Sequence, residues 1–319
     1  MNKANILILA AGLSLGLCAC RERTETEGGF CRLQVSAAVP GATRITGVTD
    51  EEESRVSDIQ VFVFDGDGML ETSGSASGRT ISLRCRTGEK TVWVVANAPS
   101  PLSVSRLSDW TNTVSRLSDN TRGHLVMAGS RSLTVRSDMS GSVELTRLCA
   151  KVSVGRITKA FSSSVLQENP LVIDRIYMTN VAADRPFSGM GITLWYNRMG
   201  YQGECLALLC DEVGQAANPT LEGLHTFYVY PNDSVSSARG GAWSPRPTRL
   251  LIAASLDGER CYYAIDIPGI EGNHSYLLSD IRLSRPGAGD EESVTAEAPV
   301  RFTFTVSDWE GTNPYTEYL

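Results

Sequence analysis

The stretch Cys31-Arg32-Leu33-Gln34-Val35-Ser36-Ala37-Ala38-Val39 alternates in polarity with a period of two. Cys31, Leu33, Val35, Ala37 and Val39 fall on one side, and Arg32, Gln34 and Ser36 on the other. Successive side chains of a strand point to opposite faces, so the pattern predicts a strand with one buried face. Pro40-Gly41 ends it.

The same signal recurs along the chain. Ile59–Phe64 (IQVFVF) is a strongly β-forming run closed by the turn Asp65-Gly66-Asp67-Gly68. That turn lacks the further carboxylates and the closing Glu of a calcium loop. Met69-Leu70 resumes, and Ile81–Cys85 and the nearly continuous apolar Thr91–Ala96 predict further strands. Short strands follow at 125–127, 132–135 and 142–145. A second series starts near Leu145 and runs through 152–154, 174–178, 193–196, 226–230, 250–254, 262–267 and 276–283. The last strand, Val300–Val306, carries Phe302, Phe304 and Val306 on one face and Arg301, Thr303 and Thr305 on the other. Many short strands with turn signals between them predict an all-β chain of β-sandwiches, with a boundary near residue 146.

Two segments depart from this pattern. Leu107, Trp110, Val114 and Leu117 recur at three- and four-residue spacing, predicting a short helix or two over 101–118. VSRLSD occurs at 104–109 and again at 114–119, too close together for a solenoid repeat. Residues 42–57 are polar and acidic around Asp50-Glu51-Glu52-Glu53, which reads as an exposed loop with solvated carboxylates, holding Arg44 and Arg55.

Ahead of the first strand, Lys3 is followed by the apolar run Ile6–Leu17 and then Leu17-Cys18-Ala19-Cys20. A cationic start, an apolar stretch and a small residue before the cut describe a secretory signal. Leu three positions before Cys20 and Ala just before it resemble a bacterial lipobox. Cleavage then makes Cys20 the lipid-bearing first residue; bulky Leu17 makes Cys18 the poorer candidate. The apolar run is shorter than the roughly 20 residues that cross a bilayer. The organisation expected is a signal at 1–19, a flexible charged tether at 20–30, one sandwich at 31–146 and a second at 147–319.

The formal charge is −7, which argues against nucleic acid as a partner. Six cysteines remain once Cys18 and Cys20 are set aside: Cys31, Cys85, Cys149, Cys205, Cys210 and Cys261. No C-x-x-C occurs among them and only three His exist, which disfavours a zinc site and any other metal cofactor. Cys31 and Cys149 sit in apolar alternation as small core residues. Free buried thiols are expected ahead of a full disulfide set, although an exported chain offers the alternative of pairing. His124, His225 and His274 are scattered. Gly74-Ser75-Ala76-Ser77-Gly78 has Ala76 where a nucleophile elbow needs Ser, and reads as a flexible loop. No Walker loop or dinucleotide fingerprint is present, so neither an enzyme nor a bound cofactor is expected.

Five segments together resemble the fimbrillins of the Bacteroidetes, the FimA/Mfa-type subunits of type V pili. They are Leu33–Asp65 (LQVSAAVPGATRITGVTDEEESRVSDIQVFVFD), Thr91–Asn97 (TVWVVAN), Leu145–Val154 (LTRLCAKVSV), Phe227–Asn232 (FYVYPN) and His274–Leu283 with the closing strand and Trp309. The resemblance implies two tandem transthyretin-like β-sandwich domains and export as an outer-membrane lipoprotein anchored through Cys20. It also implies cleavage after an Arg, carried here to Arg44–Ile45, that removes the first strand. The slot so opened would take the last strand of a neighbouring subunit, with Phe302, Phe304 and Val306 as donor residues. The implied partners are other pilus subunits, the outer membrane through the Cys20 lipid, and a host or bacterial surface receptor. A lipid-retaining anchor or an adhesive tip is the alternative within the family. From another class, a surface glycan-binding lipoprotein would use aromatics such as Trp195, Tyr196, Tyr201 and Trp243.

Overall fold

A computed structural model describes residues 29–40, 51–189, 191–198, 206–235, 244–291, 300–309 and, for the backbone, 315–318. Cys20, Arg44, Ile45, Tyr201, Cys205 and Trp243 lie outside the described residues.

The chain is nearly all β. In its first part, a five-stranded sheet has the order β3 (Leu70–Ser77), β2 (Asp58–Phe64), β5 (Gly88–Ala96), β7 (Met127–Val135), β9 (Thr146–Arg147). A three-stranded sheet sets β1 (Phe30–Ala38) between β4 (Thr80–Arg86) and β8 (Met139–Glu144). The sheets share a core: Leu33 and Val35 of β1 join Ile59, Val61 and Val63 of β2 and Val92 and Val94 of β5 in one buried cluster. A sheet that is apolar on one face must cover it with another layer, and the sandwich does so.

The second part is built the same way. A seven-stranded sheet runs β17 (Thr220–Leu221), β11 (Ile157–Lys159), β21 (His274–Leu283), β10 (Ala150–Val154), β18 (His225–Val229), with β22 (Val300–Asp308) also on β21 and β23 (Tyr315–Tyr318) on β22. A four-stranded sheet runs β16 (Cys210–Ala216), β12 (Leu171–Thr179), β19 (Thr248–Leu256), β20 (Glu259–Ile267). β13 (Val181–Ala182) pairs with β15 (Trp195–Tyr196), and β14 (Asp184–Pro186) pairs with β6 (Val114–Arg116), stitching the two parts together. After β21 the chain crosses to the edge of β20, where Tyr262 and Ala288 exchange backbone hydrogen bonds of 2.8 and 3.0 Å. Tyr177 donates to Glu291 at 2.8 Å just beyond. This strap borders a second apolar cluster of Tyr177, Leu251, Ala253, Tyr262 and Ala264.

Three local expectations change. In the segment 74–78, expected as a loop, residues 74–77 belong to β3, paired with β2 from Asp58↔Ser77 to Phe64↔Leu70, and only Gly78 lies in the bend after it. The helical spacing at 101–118 resolves into two 3₁₀ turns, Leu107–Thr111 and Leu117–Asp119, separated by β6. Each turn uses one copy of VSRLSD: the Asp109 carboxylate accepts the Arg106 N–H at 2.9 Å, and Asp119 accepts the Arg116 N–H at 3.0 Å. These acceptors satisfy amides that a helix start leaves unpaired. Trp110 is fully buried, stacked on Trp93 at 4.8 Å and edge-on to Phe62 and Phe187, while Val114 points outward. Finally, the acidic loop is not wholly exposed: Glu53, Ser54 and Val56 are buried.

β7 passes so close to the end of β8 that a Cβ on Gly129 would lie 1.9 Å from the Glu144 carbonyl oxygen. Gly129→Ala is therefore expected to cost about 3 kcal/mol or more through forced backbone displacement. Urea unfolding of the variant measures this, and an unchanged midpoint would contradict the close approach.

Candidate functional site

β1 is the element on which the sequence places most of the functional argument, and it is held from both sides. It pairs antiparallel with β4 from Phe30↔Arg86 to Ser36↔Thr80, and parallel with β8 from Leu33↔Met139 to Ala38↔Glu144. Leu33 is fully buried, and Val35, Ala37, Val39 and Cys31 are buried beside it. Its last hydrogen bond runs from the Leu145 N–H to the Ala38 carbonyl at 2.7 Å. The chain then passes into 41–50, where Arg44 and Ile45 lie. Removing β1 from this position would leave two facing strand edges and an apolar trough between them, because each backbone group it satisfies loses its partner. Leu33 and Val35 alone bury side chains worth about 1.5–3 kcal/mol each.

β22 lies in the other part of the molecule. It pairs with β21 from His274↔Asp308 to Leu283↔Val300, with an irregularity between Ser279 and Arg282. Phe304 is buried and stacked against Tyr276, while Phe302 and Val306 are half-buried. The strand is thus part of its own core in this structure. β1 and β22 lie in different sheets and do not pair; the structure joins their surroundings through Glu53.

Glu53 follows the 41–50 segment and enters the seven-stranded sheet's territory. Its carboxylate accepts from Lys151 Nζ at 2.6 Å, from Tyr228 Oη at 2.9 Å and from the Trp309 indole N–H at 2.9 Å. Arg147 Nε donates to the Glu53 carbonyl at 3.0 Å, and its Nη2 donates to Ser54 Oγ at 3.0 Å. The Arg147 guanidinium and the Lys151 ammonium lie 4.8 and 5.2 Å from the Trp309 ring centroid, and Tyr228 stacks on the same ring at 6.0 Å. Burial, with the facing Glu53 carboxylate, pushes the Tyr228 phenol well above its ordinary range, so it stays a donor at neutral pH. Trp309 directly follows β22. One buried carboxylate therefore ties the segment after the expected cut to the end of β22, and to β10 and β18. Sequence reasoning assigned Glu53 to a solvated face.

The remaining candidates are dispersed. His225 pairs with Asp211 at 2.6 Å, and His274 lies 3.4 Å from Asp308 and donates from Nδ1 to the Gly272 carbonyl at 2.9 Å. Among the described residues, no group of three or more His, Cys, Asp and Glu side chains could hold a metal. No helix among them is long and apolar enough to cross a membrane. Trp195 lines a cleft of about 790 Å³ with Arg185, Ile270 and Asn273, whereas Tyr196 lies across from Val181 in a strand pair.

Comparison with known proteins agrees with the resemblance read from the sequence. Residues 33–146 match the family described as major fimbrial subunit protein (FimA). No curated protein sequence matches the chain. Among solved structures, a candidate cell adhesion protein from Bacteroides eggerthii superposes with a TM-score of 0.66 at 16% identity, covering 89% of this chain and 96% of that one. A fimbrilin (FimA) from Porphyromonas gingivalis gives 0.62 at 16% identity, covering 88% and 97%. The tip fimbrial protein Mfa3 of Porphyromonas gingivalis, truncated at its C-terminus, gives 0.51 at 16% identity, covering 88% and 100%. At these identities the structural likeness is one of fold.

Proposed function

We propose that this chain is a structural subunit of a cell-surface fimbria, built as two sandwiches that divide near residue 146 and exported as a lipoprotein on Cys20. Its neighbours in the fibre are other pilus subunits, and its role is adhesion. The observation that carries this reading is the placement of β1. It fills the middle of a three-stranded sheet, contributes a full apolar face, and is followed at once by the segment containing Arg44. A single cut there detaches the strand from the rest of the chain, and the trough left behind suits an incoming strand of matching alternation. β22 has that alternation through Phe302, Phe304 and Val306, and assembly would be strand exchange from one subunit to the next. The match of residues 33–146 to a fimbrial subunit family supports the role, and a structural subunit needs no catalytic group.

The test is the first residue of the protein recovered from cells. Ile45 identifies a processed, polymerising subunit. A lipid-bearing Cys20 on all recovered protein would overturn processing and leave the anchor form. Separately, Cys20→Ser is expected to abolish incorporation of labelled palmitate, while Cys18→Ser retains it. Labelling that survives Cys20→Ser refutes the lipobox reading.

A further inference from the structure

β1 and β4 each carry one cysteine, and their ladder sets the two directly opposite. Cys31 pairs with Cys85 in the same register that sets Leu33 on Leu83 and Val35 on Ile81. Both side chains are buried, Cys31 at 9% exposure and Cys85 at 0%, and both thiols are free in this structure. At the ends of this ladder the Thr87 N–H donates to the Gly29 carbonyl at 3.1 Å, and the Ala37 N–H donates to the Arg79 carbonyl at 2.8 Å. Hydrogen-bonded pairs recur every second residue, so Cys31 and Cys85 form one of them, with Cα atoms about 5.5 Å apart. A disulfide accepts Cα separations of about 4.4–6.8 Å. Its Cβ atoms must approach to about 3.8 Å from the roughly 5.5 Å of a hydrogen-bonded cross-strand pair. That movement of about 1.7 Å falls one residue from the start of β1, where the strand is freest to give.

We propose that Cys31 and Cys85 form a redox-controlled bolt that decides whether the first strand can leave. The proposal rests on the strand-exchange reading above for its consequence, but not for its chemistry. Exchange with an external low-molecular-weight disulfide supplies the oxidant. The Cys31 thiolate attacks one sulfur of that disulfide and releases one external thiol, leaving a mixed disulfide. Cys85 loses its proton and attacks the Cys31 sulfur, releasing the second. Two protein thiols are oxidised and one external disulfide is reduced to two thiols. The order follows from the site: Cys31 is the more accessible of the pair. Burial, then Glu71 and the neighbouring Cys31, push the Cys85 thiol up against the opposing pull of Lys90, so its thiolate is scarce. With the bolt closed, a cut after Arg44 no longer frees β1. The lipid on Cys20 also stays attached to the subunit body, through Cys31, after the backbone has been cut. Oxidised protein is thus a lipid-retaining form and reduced protein a polymerising one.

The experiment treats the full chain with glutathione disulfide, splits the sample, and reduces one half with dithiothreitol. Both halves are then alkylated under denaturing conditions and peptide-mapped, before and after limited trypsin treatment. The expected result is loss of two alkylatable thiols in the oxidised half, with the Cys31 and Cys85 peptides joined. After the cut, the peptide ending at Arg44 should run with the body in a denaturing gel without reductant and separate from it with reductant. Cys85→Ala should release that peptide in both halves. Full alkylation of Cys31 and Cys85 after oxidation overturns the bolt, and so does pairing of either with a different cysteine. The two readings separate cleanly. A joined pair whose reduced, cut form makes no oligomers refutes strand exchange and keeps the bolt. Free thiols together with oligomers do the reverse.

Discussion

Limited trypsin treatment of the reduced precursor is expected to yield a ladder of heat-labile oligomers, and Arg44→Ala is expected to abolish it. The size of the effect follows from what β1 does. Seven residue pairs with β4 and six with β8 depend on it, and its apolar face closes the core over β2 and β5. A cut subunit that loses β1 exposes this trough to solvent, and only a strand of similar pattern restores both ladders. Phe302→Asp with Val306→Asp is the matching change on the donor. Both positions are half-buried, so the monomer loses less than it would through the buried Phe304. Two carboxylates carried into an apolar trough without partners cost several kcal/mol, enough to suppress the ladder altogether. A synthetic peptide of residues 300–308 should compete for the trough and shorten the ladder without any change to the subunit. A full ladder from Arg44→Ala, or cutting after Arg44 with no ladder at all, would remove strand exchange from the account.

Glu53→Ala is expected to destabilise the folded chain by about 3–5 kcal/mol, because it strands a partly buried ammonium as well as two neutral donors. Lys151 loses its 2.6 Å carboxylate partner, and Tyr228 and Trp309 lose their acceptor together. Trp309→Phe is the milder companion. It removes one hydrogen bond and keeps the ring between Arg147, Lys151 and Tyr228, so about 1 kcal/mol is expected. Hydrogen exchange reads the second half of this prediction. Amides of β22 should exchange faster in both variants, because the buried contact at its far end holds it to the sheet. Unchanged protection of β22 in Glu53→Ala would show that Trp309 does not restrain the strand.

The strands were legible wherever a polarity alternation or an apolar run marked them, as in β1, β2 and β5. β3 escaped because its residues are small: Ser73, Gly74, Ser75 and Ala76 carry almost no hydrophobic signal. The reason lies in its neighbour, since a Cβ on Gly74 would sit 2.8 Å from Leu83 Cδ2. The spacing of Leu107, Trp110 and Leu117 pointed to helix. What it marked was a pair of Asp-capped turns, and the repeated VSRLSD held that information in its Arg-x-x-Asp spacing. Glu53 had no local signal. Its three partners lie 98, 175 and 256 residues further on, and a carboxylate in an acidic run is normally solvated. Likewise the Cys31–Cys85 juxtaposition depends on a register that neither strand states alone.

Under the strand exchange proposed above, the strap on β20 would limit fibre geometry. Tyr262, Ala288 and Glu291 fasten it to the four-stranded sheet, and only eight residues, 292–299, separate it from β22. Whatever path they take, nine Cα steps reach at most about 30 Å. While the strap holds, a donated strand begins within that radius of its own subunit. Under the proposed exchange, the gap between consecutive subunits would therefore be capped at about this length. Load passed along such a fibre would fall on the strap, and peeling it from β20 would let each link lengthen, a spring already folded into every subunit.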